Sequence, residues 1–255
     1  MIPEAFAGGK SVIHSIDPRI KVVSAMIYSF VIALSSSFVI LFSALATSVI
    51  LVMAAQLDAR EVLKRLTVLW GFILLIWMLL PLTYPGTTLF RIGPLGFSSP
   101  GVLLAAQISL KSTTILLSLM ALLATMSIAT MGHALACLGI PDKLVHLLLI
   151  TYRYVFVMEQ EYQRLIRAMK IRGFKPGTNL HSYQSYAYLV GMLFVHASAR
   201  ADRVSKAMKC RGFTGRFHSL RQFEPHPRNR FFTVIMAFII ILLATVEVWI
   251  QTIHS

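Results

Sequence analysis

Charge is scarce in this chain: Asp, Glu, Lys and Arg make up 13% of its 255 residues, where a water-soluble domain carries about 25%. With 56% hydrophobic residues, that scarcity excludes an ordinary soluble globule and predicts an all-α integral membrane protein. Cysteine is nearly missing. The two present, Cys137 and Cys210, fall in segments read as cytosolic, so free thiols are expected and a disulfide framework is excluded. No secretory leader is expected, because Glu4, Lys10, Asp17, Pro18 and Arg19 interrupt any early apolar run. Targeting then falls to the first spanning helix.

The chemistry of an active site is equally thin. Gly9-Lys10-Ser11 invites a phosphate-loop reading, but the glycine required five positions earlier is Glu4 and no apolar strand precedes it. The eight histidines include no pair at the i, i+4 spacing that puts two imidazoles on one helix face. Neither a nucleophile with its base nor a converging carboxylate cluster stands out. The reading is therefore of a non-enzyme with no cofactor and no metal site of its own.

Long apolar runs are what the chain does have. Five stretches reach the length needed to cross a bilayer: 20–36, 38–56, 66–82, 101–127 and 231–252. Ser35-Ser36-Ser37 separates the first two as a tight hairpin. Pro81, Pro85, Gly86, Gly93, Pro94, Gly96 and Pro100 mark a loop between the third and fourth. Three regions follow: 1–127 with four spans, 128–230 as a cytosolic helical segment, and 231–255 as a last span.

Basic residues outnumber acidic ones by 24 to 10, for a net charge of +14. Sixteen of the 24 lie between Lys143 and Arg230; six more are Lys10, Arg19, Lys21, Arg60, Lys64 and Arg65. The positive-inside rule puts all of these in the cytosol. It leaves the N-terminus inside and the Pro/Gly loop and C-terminus outside, in the cell (inner) membrane. This bias accounts for the charge without nucleic acid, for which no motif is present.

Within the cytosolic segment, helices fit 130–138, 142–172 and about 181–211, stopped by Gly139-Ile140-Pro141 and Lys175-Pro176-Gly177. The second carries an apolar stripe from Leu144 to Met169 and the third one from Tyr186 to Met208. Both end in nearly the same eight letters: Arg-Ala-Met-Lys-Ile-Arg-Gly-Phe at 167–174 and Lys-Ala-Met-Lys-Cys-Arg-Gly-Phe at 206–213. Gly173 and Gly212 have the chemistry of left-handed C-caps, which would turn Phe174 back on Met169 and Phe213 on Met208. Arg172 and Arg211 then crown the negative ends of the helix dipoles. Ordinary capping alone does not require the repeated Ala168 and Ala207, nor the shared octet. A duplicated cationic tip predicts a partner with two equivalent sockets.

Those twin endings resemble the two coupling helices of the transmembrane T component of energy-coupling-factor (ECF) transporters. In that family each coupling helix closes in an Ala-Arg-Gly signature that docks on an ATPase. Here the signatures read Ile171-Arg172-Gly173 and Cys210-Arg211-Gly212, departing from the family at the first letter. Ile16-Asp17-Pro18-Arg19-Ile20-Lys21 is similar to the family's opening. The continuation from Phe213 to Arg216-Phe217-His218 is closest to the cobalt/nickel branch. The resemblance implies two ATP-binding cassette ATPase subunits, a substrate-binding membrane subunit and a small accessory subunit as partners, with membrane lipid around the spans. It implies import of cobalt or nickel, or of a vitamin in the sister branch.

Lys111 is the exceptional charge inside a span. Beside Gln107, Ser112 and Thr113, it faces the bundle interior or a partner, or else snorkels to the outer interface. Glu247 in the last span has the right sign for a counter-ion. Ser109, Ser112, Ser118, Ala121, Ala124 and Thr125 suit close helix packing. A self-contained transporter or channel is the rival reading; it would need membrane repeats or a chain of intramembrane charges, and neither is present.

Overall fold

The computed structural model describes Gly9, Ser11 and residues 13–84, 88–92, 95–213 and 227–254. Glu4, Lys10, Pro85, Gly86, Gly93, Pro94, Arg216, Phe217 and His218, which figure in the sequence reading, lie outside the described residues. Eight α-helices dominate: α1 (Pro18–Leu34), α2 (Phe38–Ala55), α3 (Ala59–Thr83), α4 (Ser99–Leu122), α5 (Ile128–Cys137), α6 (Asp142–Ile171), α7 (Leu180–Cys210) and α8 (Pro227–His254). The protein is an all-α integral membrane protein. The described residues divide into two compact units, one with those up to 134 and from 227 to 254, the other with 135–213.

Three boundaries differ from the sequence reading. The Pro/Gly connection is not wholly a loop: β1 (Thr88–Ile92) and β2 (Leu95–Ser98) pair antiparallel, with Ile92 opposite Leu95. Helix α3 starts at Ala59 rather than near 66, so Arg60, Lys64 and Arg65 form its first turns. It also runs through Pro81, which lies in its last turn. Helix α4 stops at Leu122 instead of continuing to 127. There the hydroxyl of Thr125 donates to the carbonyls of Ala121 and Leu122. Ser127 accepts from the Thr130 amide and starts α5.

Local signals explain the first span. Asp17 caps α1 by accepting from the Arg19 amide at 3.0 Å, with Pro18 at the first helical position. Tyr28 is fully buried, and its hydroxyl donates to the Ala44 carbonyl at 2.7 Å beside Thr47 and Ser48. Ile13 and Ile16 meet Ala55 and Ala121 in one buried cluster. Residues before and along α1 therefore face α2 in reverse order, as an antiparallel hairpin about Ser35–Ser37 requires. The helices α2, α3 and α4, together with Asn229–Ile250 of α8, are long and apolar enough to cross a membrane.

At 17 residues α1 falls one short of that length, yet it keeps pace with α8. The Asp17 amide donates to the Asn229 side chain at one end, and the Ser35 hydroxyl donates to Glu247 at the other. Both contacts join residues 212 apart in sequence. Helices α1 and α8 therefore run parallel and in step along their length. Where α4 approaches α3, Gly101 leaves no room for a side chain: a Cβ there would lie 2.9 Å from the Pro81 Cα and 3.0 Å from the Leu80 carbonyl oxygen.

Candidate functional site

The repeated octets form two matching helix ends. In α6, Arg172 occupies the C-cap position and Gly173 turns left-handed at φ 81°. The Phe174 amide donates to the Met169 carbonyl at 3.1 Å, and the Gly173 amide donates to Lys170 at 3.0 Å. In α7, Arg211 is the C-cap and Gly212 has φ 76°. The Phe213 amide reaches the Met208 carbonyl at 3.1 Å, and the Gly212 amide reaches Lys209 at 3.0 Å. These are the paired 6→1 and 5→2 bonds of a Schellman cap, formed twice with equal geometry. Ile171, Arg172, Gly173, Cys210, Arg211 and Gly212 are all exposed. The Phe174 ring is half-buried and reaches across to α7, edge-on to Tyr186 with centroids 5.6 Å apart.

Each tip backs onto an apolar groove between α6 and α7. The larger, about 800 Å³, has walls of Ile150, Tyr154, Val155 and Met158 from α6 and Val204, Met208 and Phe213 from α7. The smaller, about 520 Å³, takes Leu165, Ala168, Met169 and Phe174 from the other half of α6 and Tyr188 and Met192 from α7. The C-terminal half of each helix thus faces the N-terminal half of its neighbour, so the pair is antiparallel and its tips point to opposite ends. From Glu161 to Ile171 is ten residues, and from His196 to Cys210 fourteen. At ~1.5 Å per residue the tips stand ~26 Å apart for a right-angle crossing and ~36 Å for a fully antiparallel one.

Between the grooves the contact is polar, and sequence reading missed it. Glu161 is 7% exposed, one of two buried residues of α6. Its Oε1 lies 2.9 Å from His196 Nδ1, and its Oε2 is 3.3 Å from the Arg164 guanidinium. Glu161 lies outside the α6 apolar stripe, and its partner is 35 residues away on another helix, so periodicity carries no sign of the pair. The bond itself is visible only in three dimensions.

In the membrane unit, Lys111 and Glu247 meet the same turn. Lys111 Nζ donates to the Ala33 carbonyl at 2.9 Å, and Gln107 Nε2 donates to the Ser36 carbonyl at 2.8 Å. The Ala33 acceptor is in the last turn of α1, where a helix leaves carbonyls unsatisfied, and Ser36 lies in the turn just beyond it. Glu247 is 8% exposed and accepts from the Ser35 hydroxyl at 2.6 Å and the Ser36 amide at 3.0 Å. A cation at the α1 C-terminus and an anion before the α2 N-terminus each complement a helix dipole. Among the described residues, no group of three His, Cys, Asp or Glu side chains is arranged to hold a metal ion.

A bundle of apolar spans joined to an exposed, basic pair of identically capped helices defines a helical membrane protein whose most elaborated feature is its two cationic tips. The chain belongs to the cobalt transport protein (CbiQ) family, whose profile matches residues 9–222. It is similar to the energy-coupling factor transporter transmembrane protein EcfT of Heliobacterium modesticaldum, 26% identical over 80% of this chain and 81% of the relative. It is also similar to the EcfT of Leuconostoc gelidum subsp. gasicomitatum, 29% identical over 82% of each chain. The EcfT of Acidaminococcus fermentans is 26% identical over 81% of each.

Proposed function

We propose that this protein is the non-catalytic energy-coupling membrane subunit of an energy-coupling factor importer. One observation carries the reading: two equal Schellman caps present Arg172 and Arg211 at opposite ends of one antiparallel helix pair. That geometry suits a partner offering the same socket twice, as a pair of ATP-binding cassette subunits does. Each guanidinium, standing free of its own helix, anchors in a socket by charge-assisted hydrogen bonds to carboxylates or carbonyls. Ala168 and Ala207, one turn before each cap, keep the approach open. ATP-driven closure of the ATPase pair then moves the tips, and α6 and α7 act as levers.

Leu144, Leu147, Tyr183, Tyr188 and Phe194 are exposed on these levers. Together they offer apolar surface for a substrate-binding membrane subunit, which the levers reorient. Methionines Met158, Met169, Met192 and Met208 suit a contact that repacks. The positive-inside rule places α6 and α7 in the cytosol with the N-terminus, and the C-terminus outside the cell membrane. The family's description supports cobalt as cargo, with nickel or a vitamin as the rival. The ion would be held by the substrate subunit, as no ligand cluster is present among the described residues.

Uptake by Arg172→Ala with Arg211→Ala, assayed in cells alongside membrane levels of the protein, tests the reading. A charge-assisted bond is worth about 1.5–3 kcal/mol, so each single variant weakens ATPase binding by ~10- to 150-fold and transport persists at reduced rate. The double variant inserts normally and transports nothing. Full uptake by the double variant ends the docking role. Uptake of radiolabelled cobalt, nickel and vitamins by the assembled complex identifies the cargo.

A further inference from the structure

We propose that Glu161 and His196 are the fulcrum of the lever pair, positioning residues that make both grooves open when the two tips approach. This rests on the docking reading for what moves the tips. On α6 the larger groove reaches up to Met158 and the smaller begins at Leu165; on α7 the smaller reaches Met192 and the larger begins at Ala197. Glu161 and His196 sit in both gaps and are bonded to each other at 2.9 Å. The helix bodies therefore meet at a polar point with an apolar groove on either side, the smaller one bounded at its far end by the Phe174 ring against His181 and Tyr186.

Plane geometry then couples the grooves. The larger groove lies between the α6 N-terminal half and the α7 C-terminal half, and the smaller lies between the two remaining halves. These are opposite angles of one crossing, and the angle between the tips is their supplement. Rotation that brings Arg172 toward Arg211 must widen both grooves together, and separation must close both. A partner gripping these apolar walls would be released or captured at two places in one movement. A carboxylate is well suited to a pivot because it is directional, and this one is nearly buried and held on its second oxygen by Arg164 at 3.3 Å. An apolar contact would let the crossing slide.

Spin labels on a bio-orthogonal amino acid at Thr151 and Val204 span the larger groove, and at Leu165 and Tyr188 the smaller, leaving both cysteines native. In the complex with its ATPase pair, addition of ATP lengthens both distances. Arm lengths at ~1.5 Å per residue give about 2 Å for the first pair and about 1 Å for the second per 10° of rotation. Glu161→Gln, which keeps the acceptor for His196, behaves as wild type. Glu161→Leu breaks the correlation, and ATP hydrolysis continues while uptake falls at least tenfold. Movement of one groove alone, opposite changes, or matched movement with full uptake in Glu161→Leu would overturn the fulcrum. If the ATPase pair does not co-purify, the docking reading fails separately. The fulcrum is then read in the free chain: Glu161→Leu must broaden both distance distributions, and unchanged widths sink it.

Discussion

At the scale of single residues, Gly173 and Gly212 do the most with the least. Both have positive φ, and nothing lies within 4 Å of where a Cβ would stand, so a side chain there meets backbone strain and no clash. That strain is about 1–2 kcal/mol for an L-residue other than Asn or Asp. Gly173→Ala and Gly212→Ala should each loosen a cap, turn its arginine away, and weaken ATPase association by roughly tenfold in a pull-down titration. Asn at either position should lose less. Association unchanged by both alanines would show that the cap does not aim the arginine. These glycines were readable from sequence because the octet occurs twice and cap chemistry is local. The fulcrum was not readable: Glu161 is one of two acids close together on a basic helix, and only the fold discloses that it is covered.

At the scale of elements, the α1–α2 hairpin shows how a tight turn between two apolar helices is satisfied. Ser35–Ser37 frees carbonyls at the end of one helix and amides at the start of the next. Lys111 and Gln107 serve the carbonyls, and Glu247 serves the Ser36 amide. Replacing Glu247 with Leu should cost about 1–3 kcal/mol, read as a lower unfolding midpoint of the detergent-purified protein by tryptophan fluorescence. Glu247→Gln, which keeps an acceptor oxygen, should lower the midpoint by less. An unchanged midpoint for Leu would make the contact incidental. Sequence marked the serine break and both charges, since each violates an apolar run. It did not reveal their common destination, which depends on α4 and α8 folding back across it. The α3 boundary was misread for a related reason: Arg60, Lys64 and Arg65 lower hydropathy without interrupting helix propensity, so the helix begins before the apolar run does.

At the scale of the whole molecule, the parallel course of α1 and α8 demands that their first residues share one face of the membrane. With α2, α3 and α4 between them, an odd number of crossings satisfies that demand. The orientation drawn from basic residues predicts that native Cys210 reacts with a membrane-impermeant maleimide only after cells are opened. A cysteine in place of the exposed Tyr84, which follows α3, should be on the other side of the membrane from Cys210 and protected from a reagent confined to the cytosol. Labelling of Cys210 in intact cells would invert the topology and separate the arginine tips from any cytosolic ATPase.

The pairing of Asp17 with Asn229 and of Ser35 with Glu247 also sets a timetable for synthesis. The first span emerges from the ribosome some two hundred residues ahead of its parallel neighbour, so the Ser36 amide gains its Glu247 acceptor only when translation is almost finished.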